Sequence, residues 1–375
     1  MSLITNCYDP GADRTRLPVE SVFLYQPKED WTYSHHASIN FYQGRFYAIW
    51  SNGRDHEDYP GQRVLIASSS NFSDWTEPQP LVGSLMGKHS ELILTAAGFH
   101  QYESTLTAYY GAYEYLPEAL QAGIRNGRGH QDTRLWALTT RDGKTWSAPL
   151  DMVAPIVPNH GPQPTRSGRL IISGNISFPY TDDPAGLAGW KMTGIYPPEM
   201  AETICDDSES FWNVQAHMGW PAGLCEGSFY QTDDSIIHML VRTTGPGYAG
   251  KLWQTESSDD GATWQPPVES NLTDNNTKFH FGRLPDGRFY YVGSPDPEPR
   301  GARRPLVLSL SDDGLRFDRH FILADTEYSM ARDGLHKGGL YGYPHTMIHN
   351  GALYVIYSLR KEAVQALRVE LNEIK

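Results

Sequence analysis

Cysteine, charge and long apolar runs are all scarce in this chain. Cys7, Cys205 and Cys225 are its 3 cysteines in 375 residues, and none forms a CxxC spacing. That argues against a cysteine-based metal site and against a disulfide framework, and it suits a reducing compartment. No apolar run approaches the roughly 20 residues that a membrane helix needs, so no membrane span is expected. Basic residues are outnumbered, 31 Lys and Arg against 44 Asp and Glu, for a net charge of −13. That balance argues against a nucleic-acid partner. Helical periodicity is nearly missing, and only 117–124 reads as a short helix. The opening stretch, MSLITNCYDPGADRT, lacks a charged-then-apolar leader. The expected location is therefore the cytoplasm, or the exterior if a leader has been removed.

What is plentiful points to strands and turns. The chain holds 35 Gly, 26 Pro, 10 Trp, 22 Tyr and 13 Phe. Such a composition favours short strands with many turns and is too aromatic for disorder. Four segments share one shape. Ser257-Ser-Asp-Asp-Gly-Ala-Thr-Trp264 is the cleanest and Thr139-Thr-Arg-Asp-Gly-Lys-Thr-Trp146 is close. Asp312-Asp-Gly-Leu-Arg-Phe317 exchanges Trp for Phe, and Ser68-Ser-Ser-Asn-Phe-Ser-Asp-Trp75 is degenerate. The terminal aromatics are 71, 118 and 53 residues apart, which fits a repeat of about 40–50 residues. In each, Asp or Ser bonds back to the turn backbone, Gly takes a positive φ, and the aromatic packs the turn onto a sheet. The motif is structural, and Trp75, Trp146 and Trp264 are packing residues.

Between the turns, alternation marks strands at 37–42, 45–51 and 62–68, at 278–284, 288–293 and 305–309, and at 346–349, 352–358 and 366–371. Three or four strands per repeat make an all-β chain, a β-propeller. Inner strands begin near residues 36, 90, 160, 222, 278 and 345. The count is six blades, with seven as the alternative because 155–215 parses poorly. A strand at 22–26 is expected to close the last blade. No linker interrupts the pattern, so residues 1–375 read as one domain with its site in a central funnel.

These turns resemble the Asp boxes of the sialidase (neuraminidase-like) superfamily over roughly residues 31–360. The resemblance implies a propeller with an axial active site, an Arg triad for a sugar carboxylate, a Tyr nucleophile assisted by Glu, and an Asp acid/base. By position, Cys225-Glu226-Gly227 followed by a strand ending in Arg242 supplies the Glu and one Arg. Arg303 or Arg304, before the strand at 305–309, supplies another. Tyr343 opens the last inner strand as the nucleophile. The loop Arg54-Asp-His-Glu-Asp-Tyr-Pro-Gly61 supplies the acid, Asp58 first and Asp55 second. The first Arg of the triad is replaced: Ser34-His35-His36-Ala37 stands where Phe-Arg-Ile-Pro is expected. An imidazole is a poorer carboxylate clamp than a bidentate guanidinium, so a sugar other than sialic acid is implied.

Histidines recur near inner-strand starts: His35, His36, His89, His160, His280 and His345. A propeller would bring these toward its axis. Imidazoles in a ring suit a transition metal, but no HxH or HExxH spacing supports one, and neither metal nor cofactor is expected. They also suit proton transfer on an acidic sugar, with Arg242, Arg303, Arg304 and Lys278 neutralising the carboxylate. Trp50, Trp212 and Trp220 are candidates for stacking on a sugar face.

Three functions compete. The first is an exo-acting glycoside hydrolase on an oligosaccharide or glycoconjugate with an acidic sugar, with Tyr343 attacking, Glu226 taking its proton and Asp58 protonating the leaving oxygen. The second is a polysaccharide lyase or rhamnosyl-glucuronate-cleaving enzyme, with His36 and either Tyr343 or His89 as base and acid. The third is a carbohydrate-binding propeller without catalysis.

Overall fold

A computed structural model describes residues 1–123, 130–200, 215–220, 223–245 and 248–375. Its strands form six antiparallel sheets, five of four strands and one of three. The architecture is a six-bladed propeller, which settles the blade count.

Four sheets follow simple chain order from the inner strand outward. The first holds Tyr33–Tyr42 (β2), Arg45–Gly53 (β3), Arg63–Ser69 (β4) and Gln79–Val82 (β5). The second holds Ile93–Tyr102 (β6), Thr105–Tyr115 (β7), His130–Thr140 (β8) and Leu150–Asp151 (β9). The fourth holds Gly223–Gln231 (β13), Ile237–Thr244 (β14), Lys251–Ser257 (β15) and Val268–Thr273 (β16). The fifth holds His280–Arg283 (β17), Phe289–Gly293 (β18), Leu306–Ser311 (β19) and Arg319–Ala324 (β20). The last sheet is built from both ends of the chain. Tyr341–His349 (β21), Ala352–Leu359 (β22) and Ala363–Glu370 (β23) are completed by Glu20–Tyr25 (β1), with Val22 opposite Ala366. The strand expected at 22–26 does close the last blade, beginning two residues and ending one residue earlier.

The third blade explains why 155–215 resisted parsing. Its strands, Gln163–Pro164 (β10), Leu170–Ile171 (β11) and Tyr180–Thr181 (β12), have two residues each. Isolated bridges such as Gly174 to Ser177 and Tyr180 to Lys191 do the remaining pairing. Strands this short carry no readable alternation. The helix expected at 117–124 is Pro117–Gln121 (α1), and 124–129 lie outside the described residues, as do Cys205 and Trp212.

The cores lie between neighbouring blades. Middle strands are covered on both faces, so β22, β19 and β18 are buried along their whole length. Leu308 and Leu310 of the fifth blade pack against Val355 and Leu367 of the last. Trp50, fully buried, packs with Ile356 and Ala366 across the closure between first and last blades. Burying a side chain of this size contributes about 1.5–3 kcal/mol. Trp50 is thus a core residue, whereas the partly buried Trp220 packs beside the fourth-blade core. Among the described residues no helix is long and apolar enough to cross a membrane, and Cys7 and Cys225 are free thiols.

The repeated turns follow third strands. In the cleanest, Ser257 Oγ donates to Asp259 Oδ1 (2.8 Å) and accepts from the Gly261 amide (2.8 Å), while Asp259 Oδ1 also accepts from the Thr263 amide (2.9 Å). Thr140 with Asp142, and Ser311 with Asp313, repeat this pattern. In the degenerate copy Asn71 takes the Asp role, accepting from Ser69 Oγ (3.1 Å) and the Asp74 amide (2.9 Å). The third blade has a fifth version that the sequence reading missed. Thr181 Oγ1 accepts from the Asp183 amide (3.0 Å), Asp183 accepts from the amides of Ala185 and Leu187, and Trp190 Nε1 donates to Gly186 O (3.1 Å). Against Asp259–Trp264 it has one extra residue between Asp183 and Gly186 and another between Gly186 and Trp190, which hid the spacing.

Candidate active site

Inner strands run away from the mouth where they begin, and third strands run the same way. The turns after third strands therefore lie at one end of the molecule and the inner-strand starts at the other. At that second end, four inner strands carry register shifts, and in three of them a non-Gly residue stands at positive φ; the shift in β6 lies between Ala96 and Gly98. The other three lie between His35 and Ser38 in β2, between Cys225 and Gly227 in β13, and between Gly342 and His345 in β21. His36, Glu226 and Tyr343 occupy these bulges with φ of 55°, 45° and 54°. A positive φ at a non-Gly residue costs of order 1–3 kcal/mol and persists only where the surroundings impose it. Three such residues converge on one cluster.

Tyr343 is its centre. The Arg242 guanidinium holds three groups at once: Nε donates to Glu226, Nη1 to Asn276 Oδ1 (2.5 Å) and Nη2 to the Tyr343 hydroxyl (3.0 Å). The Glu226 carboxylate and the Tyr343 hydroxyl are thus joined through the one guanidinium, and the two groups interact electrostatically. Four cations face the Tyr343 ring: Lys278 Nζ lies 5.0 Å from its centroid, Arg303 5.4 Å, Arg242 5.8 Å and Lys361 6.0 Å. Burial raises the Tyr343 phenol well above its ordinary value, against the pull of Arg242. Burial also acts to raise Glu226, but Arg242, the Tyr343 hydroxyl and Lys278 outweigh it and hold the carboxyl below its usual value. Burial lowers Lys278 to about 8, opposed by Glu226. Arg303 is 8% exposed, and its Nη1 is buried without a hydrogen-bond partner.

His35 and His36 form the opposite wall. The His35 ring lies 3.9 Å, centroid to centroid, from Tyr343 and 4.6 Å from His36, and His36 meets the Tyr343 ring edge-on at 5.2 Å. His35 Nδ1 is 2.6 Å from Ser358 Oγ, and His36 Nδ1 is 3.2 Å from Ser51 Oγ. Burial and nearby positive groups push both imidazoles well below their usual range, so both are neutral. Ligating atoms of His35, His36 and Glu57 lie within 4.8 Å of one another. Glu57 is ion-paired with Lys361, however, and the cations around Tyr343 oppose a further positive ion there.

Asp58 is half-buried at a positive φ of 53°, with Tyr113 and Glu57 among the groups that act on its carboxyl. Burial, reinforced by Glu57 and only partly offset by Tyr113 and Lys361, raises its carboxyl to about 7. It is therefore a proton donor near neutrality. Asp55, the second choice, is tied to Thr32 Oγ1 (3.1 Å) and Arg332 (3.5 Å).

The other candidates divide. Arg304 faces away, paired with Asp325 (2.8 Å) and Glu327. His89 is exposed on the 83–91 loop, its imidazole grouped with Glu114 and Asp132 rather than with Tyr343. His160, His280 and His345 form their own cluster, with ring centroids 4.7–6.0 Å apart. His345 lies two residues beyond Tyr343 and His280 two beyond Lys278, so this cluster continues the same inner strands further along the axis. Burial lowers all three imidazoles, with Lys278 adding to the effect, and His345 falls to about 3. The histidine ring is therefore two groups. Asn276, Lys361, Glu57 and Tyr113 were not found from sequence. Each lies in a loop or at a strand end of no distinctive spacing, and only the acidic run around Glu57 signalled anything.

A family model described as BNR repeat-like domain matches residues 44–355. No curated protein sequence matches the chain significantly. Among solved structures, a sialidase superposes with a TM-score of 0.66 at 17% identity, over 96% of this chain and 33% of that one. Trypanosoma rangeli sialidase in complex with sialic acid gives 0.64 at 15% identity, over 96% and 60%. Penicillium chrysogenum α-L-arabinanase complexed with arabinobiose gives 0.58 at 12% identity, over 95% and 99%. The chain thus spans about a third of the first sialidase and three-fifths of the second. At these identities the likeness establishes a shared sialidase-like fold.

Proposed function

The chain belongs to the BNR repeat-like family, and from that premise we propose that it is an exo-acting glycoside hydrolase cleaving the bond to an acidic sugar. The observation that carries this reading is the Arg242 guanidinium joining the Tyr343 hydroxyl to Glu226, with four cations around the Tyr343 ring. A tyrosine nucleophile keeps a carboxylate away from a substrate carboxylate. Glu226, ionised, takes the phenol proton as Tyr343 Oη attacks the anomeric carbon. Arg242 and Lys278 stabilise the charge that develops on that oxygen. Asp58 gives its proton to the leaving oxygen, and its carboxylate then removes a proton from the water that displaces Tyr343. Glu226 returns the phenol proton.

The charge balance supports an anionic sugar. Arg242, Arg303, Lys278 and Lys361 face Glu226 and Glu57, with Asp58 protonated below about pH 7. Arg303 is the group free to receive the sugar carboxylate. His36, neutral where the sialidase superfamily places an Arg, suits a hydroxyl better than a carboxylate. That favours an acidic sugar other than sialic acid.

A second reading has one observation in its favour. Neutral His36 facing Tyr343 edge-on is a base–acid pair of the kind β-elimination from a uronate requires. A fluorinated acidic sugar with an activated leaving group separates the two, because it slows breakdown of a glycosyl-enzyme. The hydrolase reading expects one sugar mass added to the protein and mapped to Tyr343. An unmodified Tyr343 after complete release of the leaving group would refute it.

A further inference from the structure

The segment at 325–340 connects the fifth blade to the last, yet it crosses to the first blade's acid loop. There the Leu335 carbonyl accepts from the Glu57 amide (3.1 Å), and the Leu335 amide donates to His56 Nδ1 (3.1 Å). Gly334 lies so close that a Cβ on it would stand 1.8 Å from the Asp55 carbonyl oxygen. Further along, Gly339, at φ +66°, covers the Arg303 side chain, where a Cβ would meet Cδ at 2.4 Å. One segment therefore touches both sides of the site: the loop that carries Asp58 and the unpaired guanidinium.

A buried ion pair anchors it. Lys337 Nζ and Glu362 Oε1 are 2.8 Å apart, and both side chains are 0% exposed. Glu362 also accepts from the amides of Ala331 (2.7 Å) and Arg332 (2.8 Å). Lys337 also donates to the carbonyls of Arg332 (2.6 Å) and Thr32 (3.1 Å). Thr32 in turn binds the acid loop, its amide donating to Arg54 O (2.6 Å) and its Oγ1 to Asp55. A pair so desolvated adds little to stability compared with apolar residues of the same volume, and its best-attested use is to fix one arrangement among several. Every hydrogen bond it makes fixes the strap or the base of the acid loop.

We infer that Lys337 and Glu362 are positioning residues for the proton donor: they pin the 331–337 strap onto the acid loop and so fix where Asp58 stands relative to Tyr343 and Arg303. Neither touches substrate. The inference rests on the glycosidase reading for its kinetic test, and on the strap geometry alone for its second test.

The kinetic test uses leaving groups. A 4-nitrophenyl leaving group departs with little help from an acid, whereas a sugar hydroxyl needs a correctly placed proton. Glu362→Gln and Lys337→Met should lower kcat/KM by about 100-fold on a disaccharide of the hydrolysed acidic sugar, the scale of a general-acid contribution. On its 4-nitrophenyl glycoside the loss should stay below about threefold, since that substrate does not draw on the acid. Gly334→Ala, which displaces the acid loop without touching the buried charges, should give the same split. Equal losses on both substrates would overturn the inference.

The second test needs no substrate. In the parent protein the Glu57 amide is held by Leu335 O, and hydrogen exchange across 54–59 should quicken at least tenfold in Glu362→Gln and Gly334→Ala. Unchanged protection there would also overturn it. If no acidic-sugar glycoside is turned over by the parent protein, the hydrolase reading fails and the exchange result still decides the strap. If Glu362→Gln does not fold, Gly334→Ala decides.

Discussion

The two ends of the propeller use the same backbone devices for opposite purposes. At one end, five turns after third strands place a Ser or Thr, an Asp or Asn and a left-handed residue so that the polar atoms satisfy one another. Asp142, for example, accepts from Thr140, Lys144 and Thr145 and is held well below the usual carboxylate range by those bonds. At the other end, bulges in β2, β13 and β21 also place residues at positive φ, but the side chains differ in every blade and some polar atoms are left open. Arg303 Nη1 and His35 Nε2 are buried without a hydrogen-bond partner. Self-satisfied turns repeat in five blades because each of those blades turns its chain back after the third strand, whereas the last is completed by β1. Buried atoms without a hydrogen-bond partner also occur elsewhere, as at His238 and His320, but among the described residues only those beside Tyr343 accompany several cations around one ring.

That contrast is sharpest at Tyr343. Tyr343→Phe removes one oxygen, leaves the packing of a 3%-exposed ring, and should lower turnover by at least about 1,000-fold. Normal turnover with normal folding would show that the bulge is strained for some other reason.

Asp58→Asn comes next. The acid form of Asp58 is present below about pH 7 and is lost above it, so activity on sugar leaving groups should hold below that pH and fall as pH rises through it. Asp58→Asn should cost about 100-fold on such substrates and erase the alkaline limb of the pH profile, while activated aryl glycosides lose far less. A limb that survives the substitution would assign it to another group, Lys278 at about 8 being the first to examine.

Arg303→Ala tests the open guanidinium. Loss of a desolvated charge pair with substrate should cost about 30–100-fold in kcat/KM, mostly through KM. A neutral analogue of the substrate should bind equally to both proteins, as titration calorimetry can show. The smallest effect on activity belongs to the far end. Asp259→Ala should lower stability by about 1–2 kcal/mol in denaturant melts, since Asp259 accepts from Ser257, Thr263 Oγ1 and the Thr263 amide. Its kcat/KM should not move, and a change there would blur the division between the two ends.

Legibility in the sequence follows the same division. The Asp boxes could be read because their chemistry is local: four residues within a span of eight fix the turn wherever it occurs. Strands such as β3 and β22, and the closing strand β1, were readable from alternation and apolar runs. The third blade was not, because two-residue strands and bridges leave no period. Of the site, Glu226, Arg242, Tyr343, Asp58 and His36 were reached through resemblance and lie in or beside one cluster. Arg303 and Arg304 are neighbours in sequence, and only the fold separates the one beside Tyr343 from the one paired with Asp325. Lys361 and Asn276 reach the site through loop positions fixed by long-range packing, which no spacing encodes. The histidines show the limit of counting strand starts, since residues two apart on one inner strand belong to different depths.

The central claim is that this mouth performs hydrolysis at an acidic sugar through Tyr343. The most direct measurement is mass spectrometry of products formed in oxygen-18 water from sialylated, rhamnosyl-glucuronic and uronate-rich oligosaccharides. Hydrolysis through Tyr343 releases an acidic sugar carrying one solvent oxygen at its anomeric carbon, with no such product from Tyr343→Phe. A product with no solvent oxygen and an unsaturated uronate end would contradict it and move the chemistry to His36.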